Sequence, residues 1–166
     1  MKYSTKKITT LALTVSLALI LSFIESRIPA FVSIPGIKVG LANIAVIFAL
    51  YKFGAKEAII VSLIRVLLVS TLFGSPVSFI YSVTGAVLSI LTMIILKNTT
   101  PLTEITVSVC GGVMHNIGQI CAAAFMLSTN VVIYYLPFLL LSGTLAGIAV
   151  GTVSGIIIKK VKIDVK

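Results

Sequence analysis

The sequence predicts an all-α integral membrane protein: six transmembrane helices in one domain covering residues 1–166, with both termini cytoplasmic. Three observations carry this. Of 166 residues, 58% are hydrophobic and 10% charged, and the mean hydropathy is +1.21, a balance that a soluble domain with a polar surface could hardly match. The apolar residues form continuous runs near the ~20-residue length that crosses a bilayer as a helix, without the period-two alternation of a barrel strand. The cations fall in short clusters between these runs, where they carry topology information.

The first span is expected at 7–25. "MKYSTKK" followed by "LALTVSLALILS" has the charge and core of a secretory signal, but "FIESRIPA" has no convincing small-x-small cleavage site, so a retained helix is expected. The second, 38–52, has a short apolar core from Leu41 to Tyr51 bordered by Lys38 and Lys52, and the third, 57–73, contains Arg65. A five-span count is the alternative at these two. The remaining spans are expected at 77–96, 104–127 and 131–158, with the short connections "GSP" and "STN" after the third and fifth. The exception is "ESRIPAFVSIPGIKVG", Glu25 to Gly40, whose two prolines and mixed composition suit either a lid over the outer face or a plain ordered connection.

Six spans with both ends inside leave ten cations on the inner side, namely Lys2, Lys6, Lys7, Lys52, Lys56, Lys97, Lys159, Lys160, Lys162 and Lys166. Arg27 and Lys38 are then outside and Arg65 within the membrane, a bias that sets the orientation. The net charge of +9 forms no patch or stripe and accompanies no nucleic-acid-binding motif, so nucleic acid is not an expected partner.

Small residues mark helix-packing faces. Gly143, Gly147, Gly151 and Gly155 recur every four residues in the sixth span, and Ser78, Ser82, Gly85, Ser89 and Thr92 make a similar stripe in the fourth. In lipid such stripes let backbones approach, so that van der Waals contact supplies the association energy. Internal packing or docking of another membrane protein would both use them. Cys110 and Cys121 lie about 16 Å apart along one helix, too far to bridge, and read as small buried hydrophobes.

One polar constellation stands out. Arg65 is eight residues from either end of its span, about 12 Å from each boundary and too deep for easy snorkelling. His115, Asn116 and Gln119 lie at a comparable depth in the fifth span, with His115 and Gln119 stacked on one face behind Gly111 and Gly112. Asn43 could join from the second span. Glu25, Glu57 and Glu104 are all expected near membrane boundaries, leaving Arg65 without an obvious midplane counter-ion. Either Arg65 is held structurally, by helix carbonyls, Asn116, Gln119 or Glu25, or the cluster lines a cavity for a ligand with an anionic group. One histidine without nearby carboxylates supplies too few metal ligands, and no catalytic nucleophile-base arrangement can be built, so no metal, cofactor or catalytic residue is expected.

"PGIKVGLANIAVIFALYKFGAKEAIIVSLIRVLL", "SPVSFIYSVTGAVLSILTMIIL" and "SVCGGVMHNIGQICAAAF" followed by "YYLPFLLLSGTLAG" resemble the bacterial membrane family called Gx transporter, also labelled heptaprenyl diphosphate synthase component I. The resemblance covers nearly the whole chain, with G-L-A-N, L-I-R and H-N-x-G-Q its specific parts. That family resembles the S-components of energy-coupling factor transporters, six-helix bundles that capture a solute and dock on a transmembrane coupling subunit driven by ATPase subunits. The resemblance therefore implies a multi-pass protein of the bacterial cell membrane, with Glu25 to Gly40 covering an outward pocket. It also implies docking through Ala12 and Ser16, where S-components commonly show Ala-x-x-x-Ala.

The expected function is thus a non-enzymatic substrate-binding subunit, taking a small solute at Asn43, Arg65, His115, Asn116 and Gln119. It has no phosphate loop of its own and depends on partner ATPases. The alternative is a non-catalytic membrane subunit in heptaprenyl diphosphate, isoprenoid or quinone-linked electron-transfer metabolism. A catalytic prenyl synthase is not expected, because such enzymes resemble one another in two aspartate-rich magnesium-binding motifs and this chain has one aspartate, Asp164. A third possibility is a scaffold in which the polar cluster serves packing alone.

Overall fold

The computed structural model describes residues 5–27, 40–129 and 131–161. Most of the expected outer lid, 28–39 with Lys38, lies outside the described residues, as do Lys2, Lys162, Asp164 and Lys166. Among the described residues there is no strand. The helices are α1 (Thr5–Arg27), α2 (Asn43–Lys52), α3 (Ala55–Phe73), α4 (Pro76–Thr99), α5 (Glu104–Leu127) and α6 (Leu136–Lys160), with a 3₁₀ turn at Val131–Tyr135.

The helix limits follow from local chemistry. Ser75 and Thr103 cap α4 and α5 by accepting from the backbone N–H groups of Ser78 and Thr106, and Pro76 occupies the first turn of α4, where its missing N–H costs nothing. Only Phe53 and Gly54 separate α2 from α3; Gly54 sits at φ +114°, a conformation that favours glycine.

Two expected spans differ in outcome. The second was expected at 38–52, but the helix covers 43–52, because Gly40 at φ +74° starts a turn that receives the N–H of Asn43. Ten residues rise about 15 Å, half the hydrocarbon thickness, so α2 by itself does not cross a bilayer. The sixth was expected to run unbroken over 131–158; instead the 3₁₀ turn comes first and α6 runs on to Lys160. Pro137 explains the break, since it fits the first turn of a helix and would disrupt an interior one.

The helix α2 sits centrally, packed by α1, α3 and α6, and Ile44 to Leu50 are buried without interruption. The closest pairs are α4 with α5 and α5 with α6. A methyl group at Gly118 would lie 2.8 Å from Thr84 O and 2.9 Å from Gly85 Cα. On the other side of α5, methyls at Gly143, Gly147 and Gly151 would approach Asn116 Nδ2, Val109 Cα and Ile105 Cα at 2.6, 2.6 and 2.7 Å. The α6 stripe therefore serves internal packing at three of its four glycines. At Gly155 the nearest atom is Glu104 Oε2, 4.0 Å away, so this position does not share the close approach.

One end of the bundle gathers the start of α1, α3 and α5 and the end of α2, α4 and α6. There Lys7 pairs with Glu57, and Lys97 Nζ donates to Leu50 O at 2.6 Å while lying 5.0 Å from the Tyr51 ring centroid. The sides of the bundle are oily. Large apolar residues such as Leu17, Leu67, Ile95, Phe125, Leu141 and Leu145 are exposed, far beyond what a water-facing surface carries. Cys121 belongs to this exposed surface and Cys110 is half-buried, so the pair are not both buried hydrophobes. Four stretches, α1, α4, α5 and residues 131–160, are long and apolar enough to cross a membrane. The chain is an integral membrane protein.

Candidate functional site

All six helices contribute to one cavity of about 170 Å³. Each of the five residues singled out in the sequence lines it: Asn43 from the start of α2, Arg65 from α3, and His115, Asn116 and Gln119 from α5. Meeting does not require α3 and α5 to pack together. Helix α3 rests on α1, α2 and α4, and the cavity brings its Arg65 and the α5 cluster into one space.

Glycines shape the α5 wall. A methyl at Gly85 of α4 would strike His115 O at 2.8 Å and crowd its imidazole Cε1 at 3.0 Å, so the absence of a side chain there seats the histidine. Gly111, Gly112 and Gly143 also reach the cavity.

The five residues differ in what they offer. Asn116 is buried and its Nδ2 donates to Leu139 O of α6, so this amide group ties two helices together. Gln119 presents a buried Oε1 with no hydrogen-bond partner. Arg65 presents a buried Nε with none either. Both residues line the cavity, and a buried donor on a cation and a buried acceptor are costly when left unmet.

Glu25, expected near a membrane boundary and within possible reach of Arg65, lines the same cavity as Arg65, and its Oε1 accepts the N–H of Gly40. The contact ties the end of α1 to the turn before α2, across fifteen residues of chain. Among the described residues the ion pair is Lys7 with Glu57; Arg65 and Glu25 share the cavity without closing on each other. The place of Glu25 at the end of the first helix marked it, but the cavity it joins depends on how the helices pack and cannot be read from spacing.

The small-residue stripe of α4, expected to serve internal packing or the docking of another membrane protein, divides in the structure. Ser78, Ser82 and Ser89 line the cavity, while Gly85 makes the close contact with α5. The serine side chains add hydroxyl groups to the cavity lining. On α1, Ala12 and Ser16 lie on the exposed face, away from this cavity, and Ser16 Oγ returns its hydrogen bond to Ala12 O at 3.0 Å.

No curated protein and no solved structure matches the chain. A family match does exist: heptaprenyl diphosphate synthase component I, over residues 14–157, a stretch that includes every cavity residue named above. The chain belongs to the heptaprenyl diphosphate synthase component I family.

Proposed function

We propose that the chain is a non-enzymatic, S-component-like membrane subunit that captures a small anionic solute in the six-helix cavity and passes it on through a transmembrane coupling subunit and ATPase partners. One observation carries the reading: Arg65, deep in an apolar bundle, lines a cavity together with Gln119, and the buried Nε of the one and the buried Oε1 of the other have no hydrogen-bond partner. A carboxylate or phosphate answers the first by charge-assisted hydrogen bonding. The cavity volume, about 170 Å³, is little more than the ~150 Å³ that holds a benzene molecule, so the bound portion is small.

The end bearing Lys7, Lys52, Lys56, Lys97, Lys159 and Lys160 faces the cytoplasm by the positive-inside rule, which makes the membrane crossing of the chain even-numbered with both termini inside. The Lys52 end of α2 then lies at the cytoplasmic side, and the contact of Glu25 with Gly40 lies toward the outer side. The exposed small residues Ala12 and Ser16 suit close docking of a partner helix.

The family description favours a second reading, a non-catalytic membrane component in heptaprenyl diphosphate metabolism. Affinity purification of the full chain from its native membrane separates the two. Coupling and ATPase subunits that disappear with Ala12→Leu/Ser16→Leu support the transporter; a soluble prenyl synthase instead supports the second reading. Mass spectrometry of retained small molecules tests the site itself. If no retained species depends on Arg65, the solute-binding reading fails.

A further inference from the structure

A second cavity, about 500 Å³, lies between α4, α5, the 3₁₀ turn and the beginning of α6. Its character is different. Val77, Ile120, Ala123, Leu127 and Val132 give it an apolar wall, whereas the lining of the first adds several serines, three amides and the guanidinium to residues such as Ile47, Val66 and Val150. The two are adjoining: Ser78, Ser82 and Gln119 line both. Gln119, whose Oε1 is buried and unpartnered, thus stands on the shared wall between a small chamber and a larger, more apolar one.

We propose that the two cavities form one site for an amphiphile, with its anionic head group at Arg65 and its apolar tail in the second cavity. The proposal rests on the anion-binding reading of the first cavity and adds the class of ligand. Three features agree. The head chamber is too small for a drug-sized molecule, while the second reaches the volume of ordinary ligand pockets. A hydroxyl or amine near the head-tail junction would donate to Gln119 Oε1. The serine hydroxyls at 78 and 82 flank that same junction. A bilayer lipid and a dissolved amphiphile share this chemistry.

The test uses the full chain in neutral phosphatidylcholine nanodiscs, titrated calorimetrically with inorganic phosphate and with ethyl, butyl, hexyl and octyl phosphate, empty nanodiscs being subtracted. Affinity should rise with chain length by up to about fourfold per methylene. Filling the second cavity from either wall, with Ala123→Trp on α5 or Val132→Trp in the 3₁₀ turn, should flatten this series while inorganic phosphate binds as before. Two independent variants guard against one that misfolds. If octyl and ethyl phosphate bind alike, or both tryptophan variants keep the full slope, the tail site is overturned and the anion site stands. If no phosphate or alkyl phosphate binding is lost in Arg65→Met, the anion site itself is refuted. Native mass spectrometry then identifies the source: a species lost in Ala123→Trp has either a phospholipid mass or that of another amphiphile, and either supports the class.

Discussion

Replacing Arg65 by methionine should move stability and ligand response in opposite directions. Methionine keeps the length and removes the charge. On insertion scales a central arginine costs about 2.5–3.5 kcal/mol in a transmembrane helix, and here its Nε has no partner to offset that. Glu25 across the cavity and polar neighbours return part of the cost, so Arg65→Met should stabilise the ligand-free protein by about 1–2 kcal/mol. Ligand reverses the order. Wild-type protein gains about 2.7 kcal/mol at a hundred times Kd, so the two curves should cross near ten times Kd, and the variant should gain nothing. Thermal unfolding in nanodiscs, followed by helical signal with and without phosphate or a short-chain carboxylate, reads both effects. If Arg65→Met lowers the ligand-free midpoint, the guanidinium is a structural partner and the cavity reading has lost its basis.

Three further outcomes follow from packing and pairing. Gly147→Ala should destabilise by about 1–3 kcal/mol, because its methyl meets Val109 Cα at 2.6 Å, whereas Gly155→Ala in the same helix should be neutral or stabilising by up to about 1 kcal/mol; parallel thermal melts compare them. Asn116→Ala should cost about 1–2 kcal/mol of stability yet change phosphate affinity by less than about threefold, since its amide N–H serves Leu139 O; a large affinity loss at unchanged stability would make it a direct ligand instead. A double-mutant cycle on Lys7 and Glu57 should give a coupling of about 0.5–2 kcal/mol, measured by denaturant unfolding in mixed micelles, because Glu57 is 5% exposed and its ion pair is poorly screened.

Much of this architecture was legible one residue at a time. Membrane insertion, the runs that become α1, α4 and α5, and the α6 glycine stripe all follow from local composition and from the period of a helix. Arg65, His115 and Gln119 were conspicuous for a related reason: polar groups are expensive in apolar surroundings, so their presence in oily runs asks for an explanation before any contact is known. The limits of α2 and α6 were harder. They depend on Gly40 adopting a left-handed turn and on Pro137 starting a helix, and hydropathy is insensitive to both.

What the sequence by itself determined is which helices exist, which of their residues are anomalous, and that glycines would permit close crossings. Only the tertiary structure decided who shares a space with whom. It brought Glu25 into the chamber of Arg65, assigned Asn116 to Leu139, divided the α4 stripe between packing and lining, and set an apolar cavity against Gln119. The physical reason is the range of the forces involved. Helix formation and membrane partitioning are settled by neighbours three or four residues away and by the solvent. A cavity is what remains when six such helices pack, and its lining depends on crossings that no single stretch of chain contains.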